Sequence, residues 1–142
     1  MITADMIVKA VAEKLRVNFS LPVYDNRTME GFKKSCFFIE IADNSVGRQA
    51  SGILRDNLPI RITYIALNEK QLKKIIEIRS KLTEMFIDGL EVTDECYVNL
   101  EESISFTLTE DRNLECLLEF ALYQEIQDAD ELPDLEELET NI

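Results

Sequence analysis

Histidine is absent from this chain of 142 residues. The usual general base near neutral pH and the commonest metal ligand are therefore both missing. Glycine is scarce, at four residues, which is too few for a loop that cradles phosphates. Cations are the minority: 15 Lys and Arg stand against 28 Asp and Glu, for a net charge of −13. A freestanding nucleic-acid binder displaces phosphate counterions with cations, so specific nucleic-acid binding is disfavoured. No uncharged apolar run approaches the ~18 residues of a membrane span. The opening MITADMIVKAVAEKL places Asp5, Glu13 and two lysines among its apolar positions, which argues against a signal peptide. There is no G-x-S-x-G, Walker A, G-x-G-x-x-G or H-E-x-x-H motif. The adjacent carboxylates Glu101/Glu102 and Glu136/Glu137 would point to opposite faces of a strand, so adjacency does not make a catalytic dyad. These absences point away from an enzyme. No catalytic, cofactor-binding or metal-ligating residue is assigned.

Cysteine is present but unpaired in pattern. Cys36, Cys96 and Cys116 are odd in number, widely spaced and free of any C-x-x-C. Each lies in an apolar or strand-like stretch, where a free cysteine behaves as a small hydrophobe, in keeping with a reducing cytoplasm.

What the chain does contain is enough apolar residue, 46%, for one core at this length. Thr3 can cap a helix to about Asn18, whose residues Ile7, Val8, Val11, Ala12, Leu15 and Phe19 keep a 3.6 period. Leu21–Tyr24, with Pro22, reads as a short edge strand, and Cys36–Ala42 as a central one. Residues 43–57 hold two glycines, two serines and two asparagines and read as a loop or flexible hairpin excursion. A strand resumes over Leu58–Ala66, with Pro59 at its beginning. Asn68 and Gln71 suggest a capping box opening a helix over about 69–87. Leu72, Ile75, Ile76, Leu82, Met85 and Phe86 form its expected buried stripe, and Gly89 its stop.

The clearest pattern comes last. Residues 103–109 alternate strictly, and after the turn 110–113 the even positions Leu114, Cys116, Leu118, Phe120 and Leu122 are all apolar. Two period-2 runs about a four-residue turn predict an antiparallel hairpin with one buried face. The expected fold is α+β: a mixed or antiparallel sheet, two helices packed on one face and a C-terminal hairpin. Residues 1–126 read as a single domain and 127–142 as an acidic tail.

Charge is segregated along the chain. Residues 1–47 are balanced, 48–81 carry +5, 82–112 carry −8 and 113–142 carry −10. In the tail, Leu132, Leu135 and Leu138 recur every three residues among acids. Such a segment is either a solvated terminus or one that orders against a basic partner.

The segment Glu30-Gly31-Phe32-Lys33-Lys34-Ser35-Cys36-Phe37-Phe38-Ile39 resembles the tail terminator family of prophages and phage-tail-like particles of Gram-positive bacteria. The amphipathic N-terminal helix, the Ser/Gly/Arg loop, the Pro-containing strand, the second helix and the final hairpin extend the likeness to about residue 125. The family often has Pro where Ser35 stands, and the acidic tail has no counterpart in it. The resemblance implies a structural protein: a six-fold ring on the head-proximal end of the tail tube that stops its polymerisation and contacts tube, sheath and connector proteins. It would act in the host cytoplasm during assembly and then in the particle. A neck or tail-completion protein, or an acidic adaptor that mimics nucleic acid, is the alternative.

A ring needs two different patches per subunit. The expected interface residues are Arg48, Arg55, Lys70, Lys73 and Lys74 on the basic side, with Leu132, Leu135 and Leu138 from the acidic tail. A lumen that passes DNA should repel phosphate, so Glu101, Glu102, Glu110 and Asp111 are the expected pore-lining residues.

Overall fold

Thr3 caps the first helix as its sequence suggests: its Oγ1 accepts the Met6 amide at 3.2 Å, and α1 runs Ala4–Phe19. The computed structural model describes residues 2–24, 35–42, 45–66, 72–94, 96–100 and 103–125. Ile7, Val11, Ala12 and Leu15 form the buried stripe of α1, while Val8 and Phe19 pack at its margin. Ser20 ends the helix in the left-handed region, its amide donating to the Arg16 carbonyl.

The strands follow as β1 (Val23–Tyr24), β2 (Cys36–Ile41), β3 (Ser45–Ala50) and β4 (Ile53–Ile65). Then come α2 (Leu72–Phe86), a small hairpin β5 (Leu90–Thr93) and β6 (Cys96–Val98), and β7 (Ser105–Leu108) and β8 (Leu114–Glu125). The main sheet has the order β1-β2-β4-β8-β7. β2 and β3 share one edge of β4, pairing with residues 60–65 and 53–57 respectively. Only β1–β2 is parallel among these pairs, so the sheet is mixed.

Of the two readings of this segment, the hairpin is the one present: Ser45–Ala50 pairs with residues 53–57, which are strand. β4 begins five residues before the expected Leu58, and β3 returns to it through Ser51-Gly52 with Gly52 at φ 77°. Charged and Asn residues are poor strand formers, but here β3 and β8 offer ladder partners on both edges. Pro59 consequently sits mid-strand. Its carbonyl accepts from the Ala42 amide, so its nitrogen faces the same edge, where β4 changes partner from β3 to β2. The missing donor falls in that gap, and the β8 ladder is intact.

The expected α+β fold is present. On one face of the sheet Phe37, Ile39, Leu58, Ile60, Ile62, Tyr64, Leu114, Cys116, Leu118, Phe120 and Leu122 join residues of both helices in a single core. On the opposite face Cys36, Phe38 and Ile65 form a small second cluster. The β7–β8 hairpin pairs as its alternation predicts, with Phe106 opposite Cys116 and Leu108 opposite Leu114.

Helix α2 differs from expectation in its buried face. Ile75, Ile78, Leu82 and Phe86 point inward, whereas Leu72 and Ile76 are exposed. Both stripes satisfy a 3.6 period, and contact with the sheet selects between them. The Asn68/Gln71 capping box lies outside the described residues. Gly89 does stop the helix, at φ 101°, its amide bonded to the Phe86 carbonyl. A Cβ there would stand 2.5 Å from the Val98 carbonyl oxygen, so the β5–β6 hairpin can close only over glycine.

Candidate functional site

The residues singled out by sequence scatter over the fold. Lys73 is exposed and Lys74 half-buried on α2. Arg55 lies on β4 at the far end of the sheet, its guanidinium 5.8 Å from the centre of the Tyr123 ring. Arg48 stands on β3 opposite Leu54. Glu110 and Asp111 are exposed in the β7–β8 turn. Lys70, Glu101, Glu102, Leu132, Leu135 and Leu138 lie outside the described residues. Lys73 and Lys74 thus share one element, while Arg55 does not join them.

Several cations of the basic segment 48–81 have partners within the fold, although Arg79 and Lys81 stay exposed. Arg61 pairs with Glu40, directly opposite it on β2, at 2.9 Å. Lys81 donates to the Asn18 carbonyl at 2.6 Å and lies over the Phe19 ring, tying α2 to the end of α1. Arg79 sits 4.6 Å from the centre of the Phe106 ring. These partners come from distant parts of the chain, so no count of charges along the sequence could show which cations face solvent.

The chemistry on offer is that of a surface. Among the described residues no charged residue is fully buried, and no three potential metal ligands converge. Cys36 and Cys116 are core residues. Burial pushes both thiols up, Cys116 to about 12 from an ordinary value of 9.0, which keeps them protonated and unreactive. A groove of about 690 Å³ runs between α1 and β5, lined by Met6, Ala10, Val17, Leu90 and Val92 with Lys9 and Glu13 at its margins. No helix among the described residues is long and apolar enough to cross a membrane.

A family model described as phage tail terminator protein matches residues 6–133. The chain belongs to the phage tail terminator family. Membership gives this tail terminator relative a structural role in the phage tail, among other tail proteins, and places it in the virion or tail particle. No curated protein sequence matches it. Among the solved chains of similar fold, one covers 87% of this chain and 95% of its own length at 16% identity and a TM-score of 0.49, a likeness too loose to carry a functional argument.

Sequence reading missed the surface contributed by the β5–β6 hairpin. Its signal was weak: strands of four and three residues, interrupted by acids. The usable clue was Gly89 followed by Leu90 and Val92 and then Val98, apolar positions with no helix left to bury them.

Proposed function

We propose that this terminator forms a hexameric ring on the head-proximal end of the tail tube, stopping its growth and presenting a surface to the next component of the particle. The family match over residues 6–133 carries this reading. The fold supports it: β7 and β1 end the main sheet, and large apolar side chains stay exposed on α2 and at β5–β6, as expected of a protein that completes itself by contact. Residues 1–126 would be the ring-forming domain. Its assembly would take place in the host cytoplasm.

Within that ring, Arg48, Arg55, Lys70, Lys73 and Lys74 would meet a neighbouring subunit. The tail leucines Leu132, Leu135 and Leu138 would add apolar burial to a contact that exposed ion pairs alone hold weakly, at about 0–1 kcal/mol each. Glu101, Glu102, Glu110 and Asp111 would face the lumen, where acids repel passing phosphate.

The direct test is polymerisation of the purified tube protein with and without this chain. Tube lengths are measured by electron microscopy, and the mass of the assembled chain by native mass spectrometry. Shortened tubes and a mass of six subunits are expected. Tubes of unchanged length would overturn the capping role, and a chain bound to tube ends as a monomer would overturn the ring.

A further inference from the structure

Two patches on α2 and its continuation differ in character and stand apart on the molecule. At the first turn of α2, Leu72 and Ile76 are 53% and 51% exposed. Arg79 continues the same stripe and lies over Phe106 of β7, the last strand of the sheet. Leu108, on the same face of β7 as Phe106, is exposed as well. Lys73 adds a second cation beside the strip. This patch is apolar, and its border holds Lys73 and Arg79 with one exposed acid, Glu77.

Beyond the other end of α2 the character reverses. Residues 82–100 contain five acids and no base. Ile87 and Tyr97 are 48% and 57% exposed, and Tyr97 stands directly opposite Glu91 across the β5–β6 hairpin. The Tyr97 hydroxyl donates to the Asp88 carbonyl at 2.7 Å, which holds the ring in place as a preorganised anchor. Asp88, Glu91 and Asp94 are all exposed along this hairpin and the turn before it, and Lys9 and Lys14 of α1 line the groove that Glu91 shares. Among the described residues no ion pair engages these three acids or Lys73.

We propose that the Leu72–Ile76 patch of one copy receives the Ile87–Tyr97 patch of the next. A fifteen-residue helix spans about 21 Å, so the two patches lie too far apart to meet within one chain. Each has an apolar centre and a charged border, with cations in excess at the first and acids in excess at the second. Such complementarity favours a second copy, because the same molecule carries both halves of the match. The contact is heterologous, and a heterologous contact propagates into a ring when its rotation closes. The proposal deepens the ring reading above and rests on it for its biological setting. The pairing itself is testable without a tube.

Two full-length variants each lose one patch: Ile76→Asp and Tyr97→Asp. Circular dichroism checks that both remain folded, and light scattering measures mass. Each variant alone should self-associate about tenfold more weakly than the unmodified chain, or less than that. Mixed in equal amounts they should form a dimer that grows no further, because one intact patch of each kind remains. Titrating the unlabelled Ile76→Asp chain into the isotope-labelled Tyr97→Asp chain should shift amide resonances in the first half of α2. A charge pair keeps the test available should Tyr97→Asp unfold. Lys73→Glu with Arg79→Glu should weaken association, and adding Glu91→Lys with Asp94→Lys in the same chain should restore it. No mixed dimer and no amide shift at the highest soluble concentration would overturn the pairing, as would variants that associate like the unmodified chain. Variants that lose the pairing yet still cap tubes would overturn these patches as the ring contact and leave capping standing. An unmodified chain that pairs this way but never arrests tube growth would count against capping alone.

Discussion

β4 and β8 run side by side for twelve pairs, but the two halves of that ladder are different structures. From Tyr64 opposite Leu114 to Leu58 opposite Phe120, the even residues are buried in the core shared with both helices. From Asn57 opposite Ala121 to Ile53 opposite Glu125, the pairing continues while full burial ends with Leu122, opposite Asp56. Residues 53–57 are half-buried, and Tyr123 is 58% exposed. Hydrogen bonding carried the strands onward once β3 supplied a partner on the second edge of β4. Hydrophobic burial needs a second layer, and it stopped where the shared core stopped. The first half is where the molecule holds itself together. The second half is mostly half-buried or exposed, apart from Leu122.

The sharpest way to break that comparison is to truncate one aromatic in each half. Phe120→Ala should destabilise the fold by roughly 3–5 kcal/mol in chemical denaturation, since Phe120 is fully buried. Equal losses for Phe120→Ala and Tyr123→Ala would show that both halves carry core. Phe106→Ala should fall between them, at about 1–3 kcal/mol: its ring is half-buried and covered on one face by Arg79. That is less than the alternation of β7 alone implies, because β7 lies at the sheet edge.

Shortening residues 44–52 removes β3 and tests the uncovered half directly. As a loop this segment could be cut without consequence for stability. As a strand paired with 53–57, its loss should lower stability by about 1–2 kcal/mol while the core still folds. A melting temperature that does not move would mean that β3 contributes only surface.

The pH response belongs to the buried half. The Cys116 thiol is raised to about 12 when folded, against 9.0 ordinarily, so between those values the unfolded chain has lost a proton that the native chain keeps. The stability this group contributes is fully present below pH 9.0 and declines as pH rises toward 12, at up to about 1.4 kcal/mol per unit. Cys116→Ala should flatten that decline, as measured by denaturation at stepped pH. A thiol reagent at pH 8 should reach Cys96 first, and Cys36 and Cys116 only on unfolding. The smallest effect expected is Tyr123→Ala, at or below about 0.5 kcal/mol, because a surface ring leaves no cavity.

The legible parts of the fold share one property: their signals are local and repeated. Thr3 and Gly89 marked helix ends because a cap is a contact between near neighbours. The β8 alternation survived because five inward positions in succession leave no second way to bury them. Helix α2 was legible as a helix and in most of its facing, with Ile75, Leu82 and Phe86 buried as expected, but Ile78 rather than Ile76 and Leu72 completes the inward stripe. The candidate site was legible only as a separation of charge. Which cations remained for a partner depended on Glu40 and Asn18, which no local rule brings beside Arg61 and Lys81.

By itself, then, the sequence determined the helix caps, the period of each long element, the α+β class and the opposition of a basic middle to an acidic end. Those follow from backbone geometry and from composition, which act over a few residues. The tertiary structure decided that 53–57 is strand, that Leu72 and Ile76 stay in solvent, and that Tyr97 is held outward beside acids. An apolar residue is buried only when another layer reaches it, and which residues are reached is settled by chain segments far apart in the sequence.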